Sequence, residues 1–306
     1  MKEDEPILIV DGDIVNFTIC RTTEDITDFG DEVMESFDEE ATLRQFELAL
    51  DSIAKKTGYD RDHIIFAITS ETSFRKIAFP TYKQNRKKVK KPLGLKFLRE
   101  YQLKNAEKYQ TLMMEGLEAD DCMGIYASAV PHISIYSQDK DLKTIPCRQW
   151  DFKKDKFIVQ SVLEANRFLY TQVLTGDAVD GIKGCPRIGK IKAARALANC
   201  SNELEMLKVC YLLYFDKFKD KAKDKLLYEM GMLRILHNTD YMILENFGTT
   251  YNPFEVLNVT EETLNEWVQE HKESNDKAGK KVRKKGSRHS KSKTETAEGQ
   301  KERENV

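Results

Sequence analysis

The residues best suited to chemistry in this chain are carboxylates. Glu118, Asp120 and Asp121 fall within four positions of "GLEADDCMG" (116–124), and apolar residues follow them at helical spacing. Acids in a first helical turn offset the dipole and the unpaired amides, so this stretch alone reads as a capped helix as readily as a site. Asp11 closes the apolar run "PILIVDGD", and Asp139 and Asp141 follow another, "HISIYSQDKD". Asp177 and Asp180 are spaced i, i+3 in "TGDAVDGI", on one face if that turn is helical. Carboxylates about 4 Å apart repel by several kcal/mol at an effective dielectric near 20, so a cluster of this size needs cations or raised pKa values. Oxygen donors without His or Cys point to Mg²⁺ or Mn²⁺. Two such ions side by side can activate water and stabilise the leaving oxygen of a phosphodiester. Asp13 reads as the cap of the helix after the first run.

These acids must be positioned by a sheet. "PILIVDGD" has the length and β-branched content of a buried strand, "HIIFAITS" (63–70) of a second and "HISIYSQDKD" (132–141) of a third. Residues 22–38 are acidic and loop-like, and "EEATLRQFELALDSIAKK" carries apolar residues at 43, 46, 50 and 53, as an amphipathic helix does. Strands alternating with helical patterns indicate an α/β fold with a mostly parallel central sheet flanked by helices. Ligands of such a sheet bind where the strands' carboxyl ends meet the following loops. Asp11, Asp139 and Asp141 share that edge with Glu71, just past the second strand, and with Glu118 if "YQTLMM" is also a strand. We therefore expect an α/β core over 1–160, a helical portion over 161–271 and a disordered basic tail over 272–306.

Charge is unevenly spread. The 306 residues are 40% hydrophobic and 33% charged, with a net charge of −2. The run "GKKVRKKGSRHSKSK" (279–293) holds eight Lys and Arg and no acid, which leaves the remainder near −10. An acidic body with a basic tail suggests a cation-dependent site and a polyanion-binding appendage. No apolar run approaches a membrane span or a signal peptide, and the six cysteines form no CxxC pair. The expected place is the cytoplasm.

Two basic elements accompany the acids. In "FPTYKQNRKKVKKPLGLKFLREYQLK" (79–104), Lys83, Arg86, Lys87, Lys88, Lys90, Lys91, Lys96 and Arg99 are interleaved with Tyr82, Phe97 and Tyr101. A charge run is usually a solvated face, but basic residues among aromatics also suit a single-strand backbone and base stacking. "GIKGCPRIGKIKAARAL" reads as a turn followed by a helix starting near Gly189. Gly184 and Gly189 would allow close backbone approach, the helix start would offer N–H groups to a phosphate, and Lys190 and Lys192 add charge. An ordinary packing corner is the bland alternative.

Taken in order, "EGLEADDCMGIYAS", "YSQDKDLKTI" and "TGDAVDGIKGCPRIGKIKAA" resemble flap-endonuclease-type 5′ nucleases, which include the 5′-nuclease domain of bacterial DNA polymerase I and stand-alone phage 5′→3′ exonucleases. "FPTYKQNRKKVKKP" looks most like the phage members, and the similarity runs from about residue 7 to about 197. The resemblance implies a PIN-like core with a helix–hairpin–helix-type portion behind it. It implies metal ligands at Asp11, Glu118, Asp120, Asp121, Asp139, Asp141, Asp177 and Asp180, binding two or more Mg²⁺ or Mn²⁺. Lys83 and Arg86 would stand over the scissile phosphate, and the segment around 80–105, with Tyr82, Lys87, Lys88, Lys90 and Lys91, would form an arch over the 5′ end. Gly184, Gly189, Lys190 and Lys192 would grip duplex backbone at a turn that in the family often holds K⁺. Implied substrates are duplex DNA with 5′ ends or flaps, single-stranded 5′ arms and RNA–DNA hybrids, with replication proteins such as a single-strand-binding protein as partners in a phage-infected cytoplasm. Hydrolysis would leave a 5′-phosphate and a 3′-hydroxyl. The chain departs from the family where the second strand usually ends in Asp: here "AITSETSFR" leaves either Glu71 as substitute or no ligand. Arg187 also stands at a common hairpin glycine.

Two rival readings belong to other classes. "LIVDGDIV" fits the DxDx[TV] signature of haloacid-dehalogenase-type phosphatases, with Asp11 as nucleophile and Asp13 as acid–base. A DNA-end-binding module with a decayed site is the non-enzymatic rival.

Overall fold

The computed structural model describes residues 5–30, 32–88, 90–247 and 251–277. The chain runs β1 (Ile7–Asp11), α1 (Gly12–Thr23), β2 (Glu24–Asp28), β3 (Val33–Phe37), α2 (Glu39–Thr57), β4 (Ile64–Ala67), α3 (Phe74–Ala78), α4 (Leu95–Lys104) and α5 (Ala106–Tyr109). It continues with β5 (Thr111–Leu112), α6 (Ala119–Ala129), β6 (Ile133–Tyr136), β7 (Arg148–Asp151), β8 (Lys156–Val159) and α7 (Val162–Thr175). Then come α8 (Lys190–Leu197), α9 (Glu203–Phe218), α10 (Ala222–Leu233) and α11 (Asn238–Phe247). Six strands form one sheet in the order β5-β4-β1-β6-β7-β8, parallel throughout except for the β7–β8 pair.

β1 is central and buried on both faces, which explains its unbroken apolar run. Leu8 and Val10 pack with Phe46 and Leu50 of α2, while Ile9 packs with Cys122 and Met123 of α6. In register, Asp11 stands opposite Ala67 of β4, and Val10 opposite Tyr136 of β6. The strand order thus reverses around β1, and the loops leaving its two neighbours diverge there, where such sheets take their ligands. Gly12 is demanded by this closeness: a Cβ there would lie 2.6 Å from the Ala67 carbonyl oxygen.

Residues 22–38 are not a loop. Within them β2 and β3 pair antiparallel, exposing Ile26, Phe29, Val33 and Met34. Acidic residues depress β propensity, and what holds this ribbon is distant in sequence. Glu24 accepts from the Leu93 N–H at 3.1 Å, Lys90 pairs with Glu35, and Phe37 meets Phe97 at 5.7 Å between ring centroids.

The helical portion has its own core, in which Leu169, Tyr170 and Val173 of α7 meet Leu207 and Tyr214 of α9 and Met230 of α10. It also sends a segment back: Ile235 and Leu236 lie in the core beneath the sheet with Met123 and Ile125. A helix covers residues 261–277, with Leu264, Trp267 and Val268 buried, so 272–277 continue a helix where the tail was expected to begin. The basic run 279–293 lies outside the described residues, as do the side chains of Lys87 and Lys88. Among the described residues no helix is long and apolar enough to cross a membrane.

Candidate functional site

Asp11 sits at the end of β1 and caps α1, accepting from the Ile14 N–H at 3.1 Å. The cap is therefore Asp11 and not Asp13; Asp13 accepts from the Thr69 N–H at 3.2 Å and faces Arg99 at 3.5 Å. Because β6 is in register with β1, Ser137 reaches the second Asp11 oxygen at 2.8 Å. Burial pushes the Asp11 carboxyl up to about 6. The bonds from Ser137 and Ile14 oppose the shift, and the nearby Asp13 and Asp139 charges add to it.

On the other side of β1, the α6 start brings carboxylate oxygens of Glu118, Asp120 and Asp121 within 4.8 Å of one another. Three donors hold Glu118: Lys83 Nζ at 3.0 Å, the Tyr82 hydroxyl at 2.7 Å and Arg75 at 3.5 Å. Burial works against its charge, yet Lys83 and Arg75 keep its carboxyl below the usual range. Asp120 is pushed well up by burial and by the adjoining charges of Asp121 and Glu118.

Asp121 is fully buried and already spoken for. Arg75 grips both its oxygens, and the Leu236 N–H donates to it at 3.0 Å. Arg75 is itself buried and donates onward to the Arg234 carbonyl. Arg75 thus ties Asp121 to α3 and the returning segment, while a carboxylate oxygen of Asp121 stays within the 4.8 Å group at the α6 start.

The remaining acids form a second group. Asp139 Oδ1 accepts from the Asp141 N–H at 2.8 Å, and Gln172 of α7 donates to Asp141 at 2.6 Å. The turn at 177–180 is not helical but a closed loop: Asp177 and Ile182 bridge, and Asp177 accepts from the Val179 N–H at 2.8 Å. Lys140 pairs with Asp177 and lies 3.3 Å from Asp141, while Arg86 pairs with Asp180. Burial, then Asp139, raises the Asp141 carboxyl, and burial raises that of Asp180 despite Lys83 and Arg86. Asp177 is buried too, but Lys140 and the Val179 N–H hold it low.

The donor set fits hard divalent cations. Its donors are oxygens only, and four of its acids (Asp11, Asp120, Asp141 and Asp180) are pushed toward protonation, chiefly by burial and further by neighbouring carboxylates. The buried Gln172 Oε1 beside Asp141 also has no hydrogen-bond partner among the described residues. Such a site takes a hard divalent ion more readily than a soft metal.

Several expected residues lie elsewhere. Glu71 is exposed on the wall of a cavity of about 580 Å³ with Lys76, Lys91, Lys96, Arg99, Glu100 and Glu115, and it is not in the carboxylate group of Glu118, Asp120 and Asp121. In its place Thr69 Oγ1 accepts from the Ala119 N–H at 2.9 Å, so the strand end caps α6 instead of adding a carboxylate. Tyr82 is buried in the helical core and cannot stack on a base. Gly184 is buried as well: with φ at 68° it lies so close to Gly176 that a Cβ would sit 2.2 Å from the Gly176 nitrogen. Gly189 caps α8 as expected, and it is exposed with Lys190 and Lys192. Arg187 takes a left-handed φ of 65°, a region that favours glycine, and its carbonyl accepts from Lys192 at 3.1 Å. Lys90 and Lys91 are exposed. The sequence reading missed Arg75, Ser137, Lys140 and Gln172. A lone Arg among Phe74, Ile77 and Phe79 at helical spacing was the legible sign of the first.

No geometry here supports a phosphatase, since Asp13, its required acid–base, is engaged with Thr69 and Arg99. The exodeoxyribonuclease of Enterobacteria phage T3 is 32% identical over 199 residues, 61% of this chain and 65% of that one. The exonuclease of Escherichia phage T7 is 32% identical over 194 residues, 60% of this chain and 63% of the relative. The chain therefore spans just under two thirds of the length of both. A phage T5 flap endonuclease, solved as a pseudo-enzyme–product complex with DNA and metal ions, shares the fold with a TM-score of 0.54 at 17% identity, over 87% of this chain and 97% of that one. Residues 7–165, just over half of the 306, match the family described as 5′–3′ exonuclease, N-terminal resolvase-like domain, and it is to this family that the chain belongs.

Proposed function

We propose that the chain is a divalent-metal-dependent 5′ nuclease acting on duplex DNA with 5′ ends or flaps, and on RNA–DNA hybrids. The observation that carries this reading is that one segment presents two cations to the acid belt: Lys83 at Glu118 and Arg86 at Asp180. Asp11, Glu118, Asp120, Asp139, Asp141, Asp177 and Asp180 would hold Mg²⁺ or Mn²⁺, with Asp121 positioning α6. When bound, such ions supply charge stabilisation and an activated water.

The chain's own groups do the rest. Lys83 and Arg86 would leave their carboxylates for the non-bridging oxygens of the scissile phosphate, where negative charge grows. Water's oxygen bonds to phosphorus as the bond to O3′ breaks, which leaves a 5′-phosphate and a 3′-hydroxyl. Lys90 and Lys91, joined in the sequence by Lys87 and Lys88, would follow the single-stranded 5′ arm. Gly189, Lys190 and Lys192 would meet duplex backbone. The Arg187 carbonyl is already met by the Lys192 ammonium, and the reading places no K⁺ there. A DNA substrate of this kind puts the work in the cytoplasm, beside proteins that coat single strands.

The test is release of label from a 5′-labelled duplex. Short labelled products are expected with Mg²⁺ or Mn²⁺ and none with a chelator. Full-length label after incubation with either ion would sink the reading.

A further inference from the structure

The Asp141/Asp177 half of the belt already contains a cation. Lys140 Nζ pairs with Asp177 and lies 3.3 Å from Asp141. Its two partners are otherwise fixed from other directions: Gln172 donates to Asp141 at 2.6 Å and the Val179 N–H to Asp177 at 2.8 Å. The Asp177 side chain is 6% exposed and the Lys140 side chain 55%, so the carboxylate is buried while more than half of the lysine side chain reaches solvent.

We propose that Lys140 is a tethered counter-cation that occupies this half of the belt, and that a divalent ion enters only by displacing its ammonium. The inference rests on the metal-binding reading above. A lysine suits the role because its ammonium is a compact, strongly hydrated point charge on a flexible stem. It relieves the repulsion between Asp141 and Asp177, yet its single charge yields to a divalent ion. The consequence is a set threshold: the Asp141/Asp177 half fills at a higher metal concentration than its carboxylates alone would dictate. The Glu118 half has no such plug on Asp120, whose side chain has no lysine or arginine within ion-pairing distance among the described residues.

The experiment is Mn²⁺ binding to the full chain without DNA, read from the free-ion electron paramagnetic resonance signal. Lys140→Met should tighten the weaker class of Mn²⁺ sites roughly threefold to tenfold, the scale of partly exposed ion pairs, with the number of ions unchanged. Lys140→Gln should do the same. Lys143→Met removes an equal charge from an exposed neighbour that contacts none of these acids, and should stay near wild type. Binding by Lys140→Met and Lys140→Gln no tighter than by Lys143→Met overturns the inference while leaving the metal site standing. If no variant binds Mn²⁺, the metal-binding reading falls and this inference with it.

Discussion

Lys83 holds a left-handed backbone, φ 52°, with its ammonium 3.0 Å from Glu118. That conformation is costly for a residue with a Cβ and concentrates where function over-determines the backbone. Many basic residues share ground-state binding, but Lys83 would meet charge that grows in the transition state. Lys83→Ala should slow single-turnover cleavage by about 10²- to 10³-fold, whereas Lys104→Ala, exposed on α4, should cost almost nothing. Equal rates would reduce the segment to a binding surface. Arg75 acts differently, because it is wholly buried and faces two buried carboxylates. Arg75→Met should destabilise the metal-free chain by about 3–5 kcal/mol in urea unfolding, since it strands the buried Asp121 carboxylate. Adding Asp121→Asn should recover part of that loss; a cost below about 1 kcal/mol would show the pair to be dispensable.

At the scale of elements, the segment between α10 and α11 crosses from the helical core to the sheet, and His237 titrates within it. Burial, then the Arg234 charge, lowers the imidazole pKa to about 4, and Asp240 only partly offsets this. The folded-state value thus lies below the unfolded one near 6.5, so the unfolded chain binds more protons between the two. Stability should fall as pH drops from about 6.5 through about 4, by on the order of 3 kcal/mol from this group. His237→Gln should remove that part of the slope in melts across the window; identical slopes would refute the assignment. Elements also differ in how far sequence revealed them. α2 was plain because Phe46, Leu50 and Ile53 repeat at helical spacing, and all three are buried. The β2–β3 ribbon was hidden because its support comes from Lys90, Leu93 and Phe97, contacts that no local pattern encodes.

At the scale of the whole molecule, the described core closes with Leu264, Trp267 and Val268 in the helix over 261–277. Deleting 278–306 should therefore leave folding and metal-dependent cleavage intact. It should weaken DNA binding and flatten the dependence of affinity on salt, because the eight basic residues of 279–293 are lost. An unchanged salt slope would mean that the tail does not touch DNA. The acid belt itself was legible in one dimension. Carboxylates at strand ends and at a helix start are local patterns, and a parallel sheet gathers such ends on one edge by rule. Which carboxylates stay open was not legible. Asp121 is taken by Arg75, 46 positions away, and Asp177 by Lys140, 37 positions away, while Glu71 lines a cavity of mixed charge. Residue type and spacing determined that this chain carries an oxygen-donor site at a sheet edge. Only the tertiary structure decided which acids are neutralised from within, because ion pairing depends on distance in space and not along the chain.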